Sequence, residues 1–409
     1  MICQSCDSPD LELGISLGYL PPCNFFLPIG DTVTAVPTTP HEVFFCTRCG
    51  LAQLGYVPPQ TETFPASYPY TSSTTRALRD NFAGLYAESQ KIQPLVPGDL
   101  VIDIGGNDGN LLSHFPAECV RLNVTPEDMG KRGVELGIEH YQAYWSPAVA
   151  RGTVNAYGKA RLITATNVFS HVPRLHDFLD GVLECLAPGG IFVIEFQSLT
   201  DLLRGVQFDH VYSEHARYNS LTSIRHQLTA HDLTIIGARS IPTHGGSIRV
   251  YAMRKGEAFD EMHLRTGAKF VESRVYESEE AVTLADFATF REKVVQHRRD
   301  MQRLIGDIRR LGMTIVGIGA PSRAATLIGY DGLSVDDVIC VLEAPGSHKS
   351  GHYMPATKIA VYDESAELLK SADFALLLSH HIAPELKPAL RAKGFAGKFI
   401  VPLPAVRVE

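Results

Sequence analysis

Short apolar runs that stop at glycines or turn residues punctuate the middle of this chain. Residues 100–104 (LVIDI) run into Gly105-Gly106-Asn107-Asp108-Gly109, and Leu111-Leu112 then open a helical pattern. This predicts a strand, a tight loop and a helix. Residues 120–124, 161–165 and 191–196 predict three further strands, the last entered through the turn Pro188-Gly189-Gly190, and residues 175–186 carry helical spacing. Strands alternating with helices predict an α/β doubly wound sheet with ligands at the carboxyl ends of its strands. Further on, residues 278–311 read as one long helix, with Phe287, Val294, Leu304 and Ile308 among its apolar positions. Residues 313–319 then read as a strand entering a second glycine loop, 338–342 as a strand ending at Glu343, and 374–378 as a strand leading into His380-His381.

A chain of 409 residues exceeds one ordinary core, and the pattern divides it into three parts, 1–66, 67–255 and 256–409. Hydrophobic content of 45% and charged content of 20% are those of a globular protein. The net charge of -8 is spread rather than blocked, which argues against nucleic acid or an anionic membrane surface as the main partner. No apolar run approaches the ~20 residues of a membrane span, and the opening MICQSC lacks a basic start followed by an apolar stretch. The expected compartment is therefore the cytoplasm, where eight cysteines stay reduced.

Four of those cysteines form two knuckles, Cys3-x-x-Cys6 and Cys46-x-x-Cys49. Each knuckle offers two thiolates from one tight turn, the donor set of tetrahedral zinc, and four thiolates leave no open position, so the metal would be structural. Pro21, Pro22, Pro28, Pro37 and Pro40 predict loop and short strands between the knuckles. Cys23, Cys119, Cys185 and Cys340 are isolated and read as small buried apolar residues.

The loop Asp103, Gly105, Gly106, Asn107, Asp108, Gly109 matches the first motif of class I S-adenosylmethionine (SAM) dependent methyltransferases. A dinucleotide loop would show G-x-G-x-x-G, and its diphosphate would be repelled by Asp103 and Asp108, whereas a sulfonium would not. The second strand should end in an acid for the ribose, yet Thr125 stands there, with Glu127 or Asp128 as substitutes. Asn167 and Phe169 follow the third strand and complete the expected cofactor set.

Three further stretches carry a more specific likeness. They are Asn167-Val168-Phe169-Ser170-His171-Val172; Phe208-Asp209-His210-Val211-Tyr212-Ser213-Glu214-His215; and His244-Gly245-Gly246-Ser247-Ile248-Arg249. With the cysteine module, Tyr68-Pro69-Tyr70 and Gly317-Ile318-Gly319-Ala320-Pro321-Ser322-Arg323, the chain resembles nearly end to end the sugar C-methyltransferases of deoxysugar biosynthesis, which make branched sugars such as tetronitrose and mycarose. It departs from that family's usual residues at Ser213 (histidine), Thr125 (acid) and Arg323 (lysine). The resemblance implies SAM and structural zinc as cofactors, a nucleotide-linked sugar as substrate, and a C-terminal Rossmann-like module without a redox cofactor.

A carbon beside a ketone becomes a nucleophile once a base removes its proton and a donor stabilises the oxygen charge. Tyr212, Glu214 and His215 supply these groups within four positions. His215 is the expected base, Glu214 its orienting partner or a base itself, Tyr212 a donor to the enolate oxygen, and His171 an assistant. Tyr68 and Tyr70 are expected to line the pocket. His244, Gly245, Ser247 and Arg249 are candidates for sugar hydroxyls or phosphate, although Gly245-Gly246 also reads as a bend between strands with Ile248 and Val250 packing inward. Arg323, Lys349 and His352 are candidates for the diphosphate. A monomer or weak homodimer is expected. The alternatives are a non-sugar carbon acid, which Ser213 invites, and a non-catalytic nucleotide-sugar binder, which Thr125 invites.

Overall fold

The computed structural model describes residues 1–33, 36–68, 71–257 and 281–409, and among them the strands form three sheets. The central sheet has seven strands. Leu100–Ile104 lies in its middle, flanked by parallel Val120–Thr125 and Glu139–Gln142 on one side and Ala160–Thr166 and Leu186–Gln197 on the other. Ser247–Arg254 joins Leu186–Gln197 antiparallel and pairs in turn with Leu233–Ile241 at the edge. All five residues of Leu100–Ile104 are buried, Asp103 included, as befits a strand covered on both faces. The expected helix after the glycine loop is corrected to one 3-10 turn, Leu112–His114. Phe115 is extended, as a residue before proline prefers to be, and Pro116 brings no N–H to continue a helix.

The C-terminal sheet has a parallel core of Lys398–Val401, Phe374–Leu377, Ile315–Ile318, Cys340–Glu343 and Ala360–Asp363. The long helix that precedes it runs Leu284–Arg310, behind a capping box of Thr283 and Asp286. It therefore starts later than its apolar spacing predicts, and 278–280 lie outside the described residues.

The borders between the three parts are stitched by exchanged strands. The N-terminal sheet consists of Leu11–Leu20, Thr39–Cys46, Ala52–Leu54 and, from the middle of the chain, Arg217–Tyr218. In return Leu27–Pro28 pairs with His352–Tyr353 at the edge of the C-terminal sheet. A shared core fills the junction, where Val43, Phe45, Phe208, Phe287, Phe290 and Tyr330 meet. Gly14 sits where any side chain would strike Phe287, 2.7 Å from the position of a Cβ, so the long helix lies directly on strand Leu11–Leu20. No helix among the described residues is long and apolar enough to cross a membrane.

Candidate active site

The glycine loop leaves the carboxyl end of strand Leu100–Ile104. Gly105 has φ +69, and a Cβ there would lie 2.4 Å from Val168, so only glycine fits. Gly109 (φ +78) is held against Ile138 and Gly133. Asp103 accepts a hydrogen bond from the Thr164 hydroxyl at 2.7 Å through one oxygen, while its other oxygen is buried without a hydrogen-bond partner. Burial, with help from Glu195 and Asp108, pushes this carboxyl up to about 7. A cation or donor brought against the free oxygen would favour its ionised form. The residues therefore fit a cationic cofactor with amino and hydroxyl donors, which is SAM.

Thr125 is wholly buried, and its hydroxyl donates to Glu127 at 3.3 Å. Glu127 also accepts from the Asn107 amide at 2.8 Å. Asp128 is exposed and ion-paired with Lys131, so Glu127 is the acid beside the loop. Asn107 and Asp108 reach the other way and accept hydrogen bonds from the Ser72 and Ser73 backbone and the Ser72 hydroxyl. Asn167 holds a positive φ of 57 after strand Ala160–Thr166, whereas the Phe169 ring is buried against Phe178 in the sheet core.

The proposed base cluster adjoins this loop. Val168 packs on Gly105, its carbonyl accepts from the His171 backbone at 2.8 Å, and the His171 ring faces the His215 ring at 4.9 Å. His215 Nδ1 lies 3.0 Å from the His210 carbonyl oxygen, and Nε2 lies 2.9 Å from the Tyr212 hydroxyl. A carbonyl only accepts, so the proton sits on Nδ1 and Tyr212 donates to Nε2. Burial, reinforced by His171, holds His215 well below its usual 6.5, and burial brings His171 down to about 4.

The carboxylate of Glu214 does not orient His215, contrary to expectation. It accepts from the Asn24 amide at 2.7 Å and the Tyr68 hydroxyl at 3.0 Å, and only its backbone carbonyl serves the cluster, at 2.7 Å from His171 Nδ1. Burial raises Glu214 above the usual carboxylate value, opposed by hydrogen bonds from Cys23, Tyr68 and Asn24. Cys23 and Asn24 are contributions that sequence reasoning missed, because nothing in the proline-rich segment marks them. Tyr70 lies outside the described residues.

Several expected substrate contacts are otherwise engaged. Arg249 is fully buried and spends its guanidinium on Glu195 at 2.5 Å, Glu88 at 2.6 Å and Asn81 at 2.8 Å. Ser247 is buried and donates to the Thr243 carbonyl, while the Gly245 carbonyl accepts from Gln207. This stretch is thus the bend between two strands, with Ile248 and Val250 inward. His244 beside it keeps a buried Nε2 without a hydrogen-bond partner. Arg323 is buried and grips Asp209 through Nε and Nη2, at 2.6 and 2.9 Å, while its Nη1 is buried without a hydrogen-bond partner. Lys349 donates to the Ala320 carbonyl at 2.5 Å and lies over the Phe26 ring. His352 is half-buried on the strand next to Leu27–Pro28, with Nδ1 on the Ser350 carbonyl.

The sulfurs of Cys3, Cys6, Cys46 and Cys49 all lie within 4.8 Å of one another, with Cys3–Cys49 at 3.5 Å and Cys6–Cys46 at 3.6 Å. Tetrahedral zinc with Zn–S bonds of about 2.3 Å sets sulfurs about 3.8 Å apart, so the four thiols fit the metal. Hydrogen bonding from Cys49 draws the Cys3 thiol down to about 5, against its burial.

Sheet order, glycine loop and a lone-oxygen Asp103 define a SAM-dependent methyltransferase. Three family models match in succession: a zinc binding domain over 3–64, a methyltransferase domain over 74–237 and a C-methyltransferase C-terminal domain over 242–404. The chain is a SAM-dependent C-methyltransferase with this zinc-binding, methyltransferase and C-terminal domain set. It is 29% identical to C-methyltransferase NovU of Streptomyces niveus over 411 residues, 99% of this chain and 96% of that protein. A solved SAM-dependent methyltransferase from Clostridium acetobutylicum ATCC 824 covers 45% of this chain and 94% of its own, at 14% identity and a TM-score of 0.35. N-methyltransferase NodS from Bradyrhizobium japonicum WM9 covers 44% and 98%, at 13% identity and a TM-score of 0.32.

Proposed function

We propose that the enzyme methylates a carbon next to the ketone of a nucleotide-linked deoxysugar by way of an enolate. The observation that carries this reading is the His171–His215 pair, which adjoins the cofactor loop through Val168 and bears a Tyr212 hydroxyl on its open nitrogen. When bound, SAM supplies the electrophilic methyl group. His215 Nε2 takes the proton from the carbon as Tyr212 turns its hydroxyl from the imidazole to the ketone oxygen, where negative charge develops. The His210 carbonyl on Nδ1 stabilises the imidazolium so formed. Glu214 ties Asn24 of the N-terminal module and Tyr68 to the base cluster, and Tyr68 is assigned to the substrate. Lys349, trading the Ala320 carbonyl for a phosphate oxygen, and His352, through its Nε2, are assigned to the diphosphate. The sugar as substrate is supported by the likeness of the 208–215 and 244–249 stretches to the sugar C-methyltransferases.

The test is incubation with SAM and a thymidine-diphosphate-linked 4-keto-6-deoxyhexose. Formation of S-adenosylhomocysteine with a gain of one methyl on the sugar is expected. His215→Ala should lower kcat by about a hundredfold or more, with SAM affinity by calorimetry nearly unchanged. Full turnover by that variant would remove His215 as the base. If thymidine diphosphate neither binds nor stabilises the protein, the substrate is a different carbon acid.

A further inference from the structure

We propose that Arg323 and His380 of the C-terminal domain are positioning residues for the base. By clamping Asp209 they hold the 208–211 turn so that the His210 carbonyl keeps the His215 proton on Nδ1 and leaves Nε2 for the substrate. This rests on His215 being the base.

The C-terminal domain grips three of the four residues of that turn. Phe208 packs between His297 of the long helix and Tyr330 of helix Ser322–Asp331, with ring centroids at 4.9 and 5.0 Å. Asp209 is fully buried and accepts from Arg323 Nε at 2.6 Å, Arg323 Nη2 at 2.9 Å and His380 Nε2 at 2.8 Å. The Val211 carbonyl accepts from the Thr326 hydroxyl at 3.4 Å. All of these partners come from the C-terminal domain. The His210 ring gives the turn no hydrogen bond, because both of its nitrogens are buried without partners, and it only stacks on the His215 ring at 5.8 Å. Its carbonyl is the group the turn presents to the middle domain, where it meets His215 Nδ1 at 3.0 Å and the Tyr218 hydroxyl at 3.3 Å.

The chemistry of the grip suits alignment better than mere packing. A buried carboxylate costs too much to keep unless donors surround it, and an apolar residue would fill the space equally well. A guanidinium fork fixes both position and plane of its partner, which a lysine cannot do. Burial alone would raise the Asp209 carboxyl; Arg323 and His380 outweigh it and hold the group ionised, well below the usual carboxylate range.

Arg323→Met keeps much of the length and removes the fork with its charge, and Asp209→Asn keeps the shape and removes the charge. With SAM and the thymidine-diphosphate-linked ketosugar, both should lower kcat about tenfold while the KM for SAM stays within twofold. The double variant should fall little further than either single one, since the two act as a unit. Nitrogen-15 spectra of histidine-labelled protein give a readout independent of turnover: His215 should lose its pure Nδ1–H form in both variants. Wild-type kcat together with an unchanged His215 tautomer would overturn the proposal. If His215→Asn proves active, the base assignment itself falls, and the spectra still decide whether Asp209 sets the tautomer. Should Asp209→Asn fail to fold, His380→Asn, which removes only one of the three donors, carries the same two readouts.

Discussion

His171, His215, His210 and His244 are all held below the ordinary imidazole value by burial, His171 and His244 at about 4. The unfolded chain carries these rings at about 6.5. As pH falls below that value the unfolded state binds protons that the folded state refuses, so stability declines. Each such ring contributes about 1.4 kcal/mol per pH unit until its own folded value is reached. Urea midpoints should therefore drop between pH 6.5 and 5. Turnover should behave differently, because the same lowering keeps His215 unprotonated. On enzyme that is still folded, kcat should hold level through pH 6.5, and a half-loss there would show a solvent-like imidazole as the base. At this scale the sequence was legible for residue types but not for directions. Tyr212, Glu214 and His215 stand within four positions, yet the carboxylate of Glu214 turns away because Asn24 and Tyr68, remote in the chain, supply its donors.

The elements around the site depend on one buried charge network. Strand Ser247–Arg254 carries Arg249, strand Leu186–Gln197 carries Glu195, and helix Arg76–Ile92 covers both through Asn81 and Glu88. Arg249→Ala would leave Glu195 buried without its cation and should cost about 3–5 kcal/mol, read as a lower denaturant midpoint. A substrate contact would give a raised KM at normal stability, so the two outcomes are easily told apart. Four strands of the central sheet were readable from apolar runs and glycine turns, and their positions match within a residue or two except for the longer 186–197 strand, whereas the short polar strand Glu139–Gln142 was not foreseen. Arg249 was misread because a cation alternating with Ile248 and Val250 marks a solvent face unless a helix covers it, and which face a helix covers is a tertiary fact. The helix expected after the glycine loop failed for a local reason, Pro116, which could have been weighed from the sequence.

Across the whole molecule the zinc module does more than cap one end. Its sheet takes in Arg217–Tyr218, two residues beyond His215, and Arg217 donates to the Val172 carbonyl next to His171. Metal removal by a strong chelator should therefore lower the melting midpoint and kcat together, and undiminished turnover in zinc-free protein would refute this coupling. The zinc module and the two α/β sheets were legible in two cysteine knuckles and two glycine loops. The exchanged strands were not, since runs of two residues carry no periodic signal. Those short exchanges bear on any effort to take the enzyme apart. A gene fragment encoding the C-terminal part alone would lose Leu27–Pro28 and bare the His352–Tyr353 edge, and one encoding the middle part alone would strand Arg217–Tyr218 without its neighbours. Unpaired edges invite self-association, so truncations meant to isolate a minimal catalyst are apt to precipitate, and hybrid enzymes will need both seams transplanted along with the part they join.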